Sequence, residues 1–178
     1  TNNTKFEIKF IVPRYNNRDK ILKRWAKKLK IEFLIIKNIN SPSSIKIFKK
    51  YNIDLIVSMS FDQIFKKEIL KIPKLGAINC HAGALPFYRG RNVLNWALIN
   101  GENFFGITVH YIDEGIDTGD IILQKLNRIY NKDDYSTILS RASKICAKLL
   151  YKSLLLILNR KIKIIKKIDI DKKGSYYR

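Results

Sequence analysis

Asn79 and His81 stand two residues apart in Asn79-Cys80-His81, at the end of an apolar segment that starts near Gly76. In an extended strand, residues i and i+2 point to the same side, so the amide and the imidazole share a face. Such a pair suits acyl transfer, because attack on a carbonyl builds negative charge on oxygen, which aimed hydrogen-bond donors stabilise. A nearby carboxylate would favour the protonated imidazole, orient it and help accept the proton that an attacking amine loses. Asp117 is the candidate, in the loop Asp113-Glu114-Gly115-Ile116-Asp117-Thr118-Gly119-Asp120, provided the fold brings this distant loop to His81. Between them, Leu85-Pro86-Phe87-Tyr88-Arg89-Gly90-Arg91 forms a rigid, aromatic and cationic stretch able to hold an anionic substrate. Residue types alone leave alternatives open. A histidine at a strand end also serves as a structural hydrogen-bonding residue, and Asp-Thr-Gly-Asp equally suits a hairpin turn. His110 falls inside a predicted strand, which favours a core or sheet-face role, and both Cys80 and Cys146 read as small buried apolar residues. No G-x-S-x-G turn is present, which argues against a serine hydrolase of that type.

The elements that must position these residues alternate. Residues 6–12, 31–36 and 53–58 read as strands, the last as a parallel strand covered on both faces. Between them, residues 18–30 place Ile21, Leu22, Trp25, Ala26 and Leu29 at helical spacing. A second helix starts at Ser41-Pro42, a good cap followed by a good first residue, with Ile45, Phe48 and Tyr51 as its buried stripe. Residues 61–70 read as a short helix before a strand at 76–81. Residues 92–100 form a helix stopped by Gly101. Strands at 106–112 and 121–126 flank the acidic loop, and a long helix over 134–158, a strand at 162–168 and a polar tail over 169–178 complete the order. Alternation of this kind predicts an α/β, Rossmann-like, doubly wound and mostly parallel sheet. In such sheets ligands bind beyond the carboxyl ends of the strands, where Asn79 and His81 lie.

The 178 residues suit one domain with its own core. No run of about 18 apolar residues and no signal-peptide pattern occurs, so membrane insertion is not expected. The two cysteines have no CxxC partner, which gives neither a disulfide framework nor a metal site and fits a cytoplasmic setting. The net charge of +20 would attract nucleic acid, acidic lipid or a phosphorylated substrate. Lysines spread along helix surfaces also produce such a charge, and this solvated-surface reading is preferred to a dedicated nucleic-acid face.

The motifs Asn79-Cys80-His81-Ala82-Gly83-Ala84-Leu85-Pro86, Tyr88-Arg89-Gly90, Gly106-Ile107-Thr108-Val109-His110 and Asp117-Thr118-Gly119-Asp120-Ile121-Ile122 together resemble the formyltransferase family. Its pattern is N-x-H-x-x-x-L-P, then a T-x-H strand, then a D-x-G loop. The resemblance implies the formyltransferase fold and a formyl donor, N10-formyltetrahydrofolate, with no metal. It assigns Asn79 and His81 to polarising the formyl carbonyl and Asp117 to pairing with His81. It places the folate pterin against main chain near Phe61, Gln63, Ile64 and Phe65, with Asp113 and Gly115 on the second loop. The run from Tyr88 to Leu98 resembles the branch that formylates nucleotide-linked amino sugars, with Tyr88, Arg89 and Arg91 as substrate residues, since guanidinium forks match phosphate oxygens. Methionyl-tRNA formylation, a non-catalytic ligand- or nucleic-acid-binding relative and a formyl-folate hydrolase are the alternatives, and a homodimer is among the expected partners. Residues 1–178 are read as a single catalytic domain. Against the family pattern the chain opens at the second strand, without the usual first strand and helix, and stops where relatives often continue, so a fragment is an open alternative.

Overall fold

The computed structural model describes residues 6–14, 19–160 and 174–178. The expected strand at 162–168 lies outside these residues. The order is β1 (Phe10–Ile11), α1 (Lys20–Leu29), β2 (Glu32–Phe33), α2 (Pro42–Lys50), β3 (Ile56–Ser58), α3 (Lys67–Leu70), β4 (Ala77–His81), β5 (Arg89–Gly90), α4 (Val93–Ile99), β6 (Phe104–Tyr111), β7 (Ile121–Arg128), α5 (Tyr135–Leu158) and β8 (Tyr176–Tyr177). Among the described residues, β1–β2, β3–β4 and β5–β8 pair parallel, while β4–β6 and β6–β7 pair antiparallel. The fold is of the expected α/β class, and the described strands form a four-stranded sheet, β3-β4-β6-β7, with two-stranded sheets β1-β2 and β5-β8.

Alternation along β4 and β6 divides the sheet into a packing face and a chemical face. Ile78 and Cys80 on β4, with Phe105, Ile107 and Val109 on β6, pack against Leu94 and Ala97 of α4. Ile138, Ala142, Cys146 and Ile157 of α5 join the same cluster at helical spacing. Burying each such aliphatic chain contributes about 1.5–3 kcal/mol. The residues between them, Asn79, His81, Thr108 and His110, therefore face the other way, and the register sets Asn79 beside His110 and His81 beside Thr108. A second cluster, with Ile39, Phe48, Ile56, Phe65, Ile69 and Ala77, lies under α2 and α3.

Caps set the helix ends as the residue types dictate. The Ser41 hydroxyl accepts from the Ser44 amide ahead of Pro42, and Asp134 and Thr137 form a reciprocal capping box at the start of α5. Gly101, at φ +64°, follows α4.

Several expectations change. Residues 61–66 are an irregular loop and not the first turns of a helix, because Gln63 and Asn40 bind its backbone and its neighbours across the chain. The Gln63 Oε1 accepts from the Ile39 amide at 2.7 Å and its Nε2 donates to the Ile36 carbonyl, while Asn40 donates to the Ile64 carbonyl and accepts from the Lys66 amide, both at 2.8 Å. On α1 only Ala26 is fully buried, Leu22 is half-buried, and Ile21, Trp25 and Leu29 are exposed, so most of the amphipathic stripe is left uncovered among the described residues. Val57 of β3 is likewise exposed, and β3 is covered on one face instead of two. The polar tail is not featureless, since Tyr176–Tyr177 adds a strand to β5.

Ile107, with 0% exposure in the centre of the main cluster, offers a direct check on this packing. Ile107→Ala should lower the unfolding free energy by about 2–5 kcal/mol in urea denaturation. A loss under about 1 kcal/mol would show that β6 does not pack as described.

Candidate functional site

Three loops and strands converge on the chemical face of the sheet. β4 delivers Asn79 and His81, β6 delivers His110, and the connection from β6 to β7 returns over the strand ends with Asp117. That connection is both a hairpin and a site loop. The Asp113 carboxylate accepts from the Gly115 amide at 3.1 Å and from the Thr118 hydroxyl, which folds the loop on itself. Asp117 takes the left-handed conformation at φ +54°, a strained choice for this residue that the surrounding bonds must hold.

Those bonds are specific. Asp117 Oδ2 accepts from the Gly90 amide at 2.9 Å and lies 3.7 Å from His81 Nδ1. Its Oδ1 accepts from Asn79 Nδ2 at 3.4 Å and lies 3.4 Å from His110 Nε2. The side chains of His81, His110 and Asp117 are 8%, 2% and 11% exposed, so these charges interact with little screening by water. Burial alone would push the Asp117 carboxyl up. The His110 bond, the His81 charge and the Gly90 amide outweigh it and hold the carboxyl down at about 2.

Each imidazole is fixed by a carbonyl. His81 Nε2 donates to the Tyr88 carbonyl at 2.6 Å, which leaves Nδ1 facing Asp117. His81 sits below its usual value, because burial disfavours the cation more strongly than Asp117 and the Tyr88 carbonyl favour it. His110 Nδ1 donates to the Tyr111 carbonyl at 2.7 Å. Its Nε2 accepts from Asn79 Nδ2, at 3.3 Å, when the ring is neutral, and donates to Asp117 when the ring is protonated. In this resting arrangement the amide of Asn79 and the Nε2 of His81 both point at protein acceptors.

The loop after β4 is built around this contact. A side chain at Gly83 would place its Cβ 2.3 Å from the Tyr88 carbonyl and 2.4 Å from His81 Nε2, so only glycine lets the two meet. The buried Thr108 hydroxyl donates to the Gly83 carbonyl at 2.7 Å, and Gln124 Nε2 donates to the Leu85 carbonyl at 2.8 Å. Thr108, His110 and Gln124 are site-building residues that reading by residue type did not assign. The period-two pattern placing Thr108 and His110 opposite Ile107 and Val109 was the available signal.

The other expected residues lie in two places. Tyr88 and Arg89 belong to the loop that touches His81 and Asp117, and Arg91 follows them. Arg89 Nε is buried without a hydrogen-bond partner among the described residues, a donor suited to an anion. Phe61, Gln63, Ile64 and Phe65 lie in the pinned loop after β3. The Phe61 and Phe65 rings meet at a tilt of 34° with centroids 5.6 Å apart, and Ile64 is 59% exposed. The Gln63 side chain is already engaged, but no backbone–backbone hydrogen bond involves Phe61, Gln63 or Phe65 among the described residues. A flat heterocycle read by main-chain groups fits such a loop.

The family model described as Formyl transferase matches residues 13–154. The methionyl-tRNA formyltransferase of Syntrophus aciditrophicus is 42% identical over 119 residues, covering 67% of this chain and 38% of that protein. The bifunctional polymyxin resistance protein ArnA of Wigglesworthia glossinidia brevipalpis is 39% identical over 141 residues, covering 79% of this chain and 22% of that protein. The chain thus spans well under half the length of these curated relatives. Among solved structures, the formyltransferase PseJ from Anoxybacillus kamchatkensis, in complex with UDP-4,6-dideoxy-4-formamido-L-AltNAc and tetrahydrofolate, superposes with a TM-score of 0.69 at 29% identity, covering 88% of this chain and 79% of that one.

The buried carboxylate has a consequence for pH. With its carboxyl at about 2 in the fold against 3.8 ordinarily, the native state binds fewer protons than the unfolded chain between these values. Its contribution, on the order of 2 kcal/mol, is complete above about pH 4 and is lost as pH falls through about 2. His81, lowered from 6.5, acts in the same direction, since the unfolded chain takes up that proton first. Urea midpoints followed from pH 5 to pH 2 should fall more steeply for wild type than for Asp117→Asn. Parallel profiles would show that Asp117 is not held ionised.

Proposed function

We propose, from the premise that the chain belongs to the formyl transferase family, that it transfers a formyl group from N10-formyltetrahydrofolate to a primary amine. The observation that carries this reading is the convergence of Asn79 and His81 from β4, His110 from β6 and Asp117 from the connection before β7 on one buried cluster. The donor supplies the activated formyl carbon, and the loop of Phe61, Gln63, Ile64 and Phe65 with Asp113 and Gly115 would hold its pterin.

The remaining chemistry falls to side chains of this chain. As the amine attacks, the formyl oxygen gains negative charge, which the Asn79 amide, drawn off its resting acceptors, and the His81 imidazole would stabilise. The resting contacts of Asn79, at 3.3 and 3.4 Å, are long and yield readily. The neutral His81 ring can take a proton on Nδ1, where Asp117 faces it and stabilises the cation. Asp117, held ionised, would accept the proton that the attacking amine loses; as the intermediate collapses, the bond between the formyl carbon and N10 breaks, N10 takes up a proton and tetrahydrofolate leaves. Glycine at position 83 leaves room for the His81 ring to stay on the Tyr88 carbonyl.

For the acceptor we propose a nucleotide-linked amino sugar, with Arg89 and Arg91 on its phosphates and Tyr88 beside them. Support comes from the buried Arg89 donor and from the likeness to PseJ, whose complex holds a UDP-sugar. A second reading, methionyl-tRNA as acceptor, is favoured by the 42% identity to the Syntrophus aciditrophicus enzyme and by the +20 charge.

Incubation with donor and either a panel of amino-sugar nucleotides or charged initiator tRNA, read by mass spectrometry, separates the acceptors. Formylated sugar nucleotide is the expected product, and formylated methionyl-tRNA in its place would establish the second reading. Asn79→Ala and His81→Ala should each lower turnover by about 10²–10³, and Asp117→Ala should do so at least as severely. Wild-type rates in all three would remove the site.

A further inference from the structure

Segment 174–178 is fastened to the loop that touches the cluster. Ser175 takes two bonds from it: its hydroxyl accepts from the Tyr88 amide at 2.8 Å and its carbonyl from the Arg89 amide at 3.0 Å. The Tyr177 carbonyl accepts from the Arg91 amide at 3.0 Å, which completes the parallel pairing of β8 with β5. The Tyr177 ring stacks on Tyr88 with centroids 5.1 Å apart and planes 12° apart, and it also meets Trp96 of α4 at 5.1 Å. Its hydroxyl accepts from Asn100 Nδ2 at 2.9 Å.

The same short loop carries the two backbone groups that define the cluster. The Tyr88 carbonyl receives the His81 Nε2 proton, and the Gly90 amide donates to Asp117. Tyr88 holds a left-handed φ of +59°, and Gly90 a φ of +96° with its missing Cβ only 2.0 Å from the Tyr177 carbonyl. Gly90 is thus shaped to the strap on one side and to Asp117 on the other. A backbone in such conformations stays there only when its surroundings over-determine it, and the strap supplies most of those bonds.

From this we infer that Ser175 and Tyr177 are positioning residues, acting through the backbone of Tyr88 and Gly90 to set His81 and Asp117 for the reaction. The catalytic part of this inference rests on the formyl-transfer reading, whereas the mechanical part does not. Neither residue touches the reacting atoms, so their loss should lower kcat and leave donor binding at the 61–65 loop alone.

The test compares wild type, Tyr177→Ala, Tyr177→Phe and Ser175→Ala in the full chain. Amide hydrogen exchange is read at Gly90 and, as a control, at Ile107 and Val109, alongside steady-state formyl transfer. In Tyr177→Ala, exchange at Gly90 should quicken at least about tenfold with the β6 amides unchanged. Its kcat should fall about tenfold or more with KM for the donor within about twofold. Tyr177→Phe, which keeps the stacking, should restore both. Unchanged protection at Gly90, or faster exchange there with wild-type kcat, would overturn the inference. If Tyr177→Ala also loosens β6, Ser175→Ala decides by the same two criteria. Should wild type form no formylated product, the formyl-transfer reading fails, and exchange at Gly90 alone still decides whether the strap holds the loop.

Discussion

One ionised carboxylate, taken out of water, organises this molecule's chemical face. Asp117 could not remain charged there without compensation, because an unpaired buried charge is far more costly than a paired one. Gly90 offers an amide and Asn79 an amide side chain, and the two imidazoles, 3.7 and 3.4 Å away, add stabilisation when protonated. The partners come from three places, Asn79 and His81 from β4, His110 from β6 and Gly90 from the loop after β4, so the charge is stabilised only when all three meet the connection that carries Asp117. The cost of burial therefore becomes a requirement on the fold.

The sheet meets that requirement through alternation. Even a one-residue slip of β6 against β4 would carry Thr108 and His110 into the apolar cluster and Ile107 and Val109 out of it. The aliphatic packing against α4 and α5 fixes the register, and the register fixes which polar groups meet. A bulge at Val109/His110 adjusts the partner of His110 on β7 without disturbing this division. Glycines at 83 and 106 then allow the loop after β4 to lie closer to the sheet than any side chain would permit.

Much of this was legible in residue order. The spacing of Asn79 and His81, the extent of the long helix over 134–158, the Ser41-Pro42 cap and the stop at Gly101 each follow from local rules, and the structure bears them out. The pairing of Asp117 with His81 needed the resemblance, because no local rule joins positions 36 residues apart (117 − 81). What stayed hidden depends on long-range bonds. Residues 61–66 carry helix-compatible types, yet Gln63 and Asn40 hold them irregular across the chain. Tyr176 and Tyr177 sit in a polar tail whose role appears only where it meets Arg89 and Gly90. The second role of His110 was obscured because a buried strand histidine looks the same from sequence whether it faces core or carboxylate.

The chemistry of the cluster depends on where its protons sit, and nitrogen NMR reads that directly. The chain has two histidines, so ¹⁵N-labelled imidazoles in wild type and in His110→Asn give an unambiguous assignment. At pH 7 His81 should be neutral, with its proton on Nε2 toward the Tyr88 carbonyl and a bare Nδ1 toward Asp117, and should take up a second proton only below pH 6.5. A proton on Nδ1 of a neutral ring, or an imidazolium already present at pH 7, would contradict it.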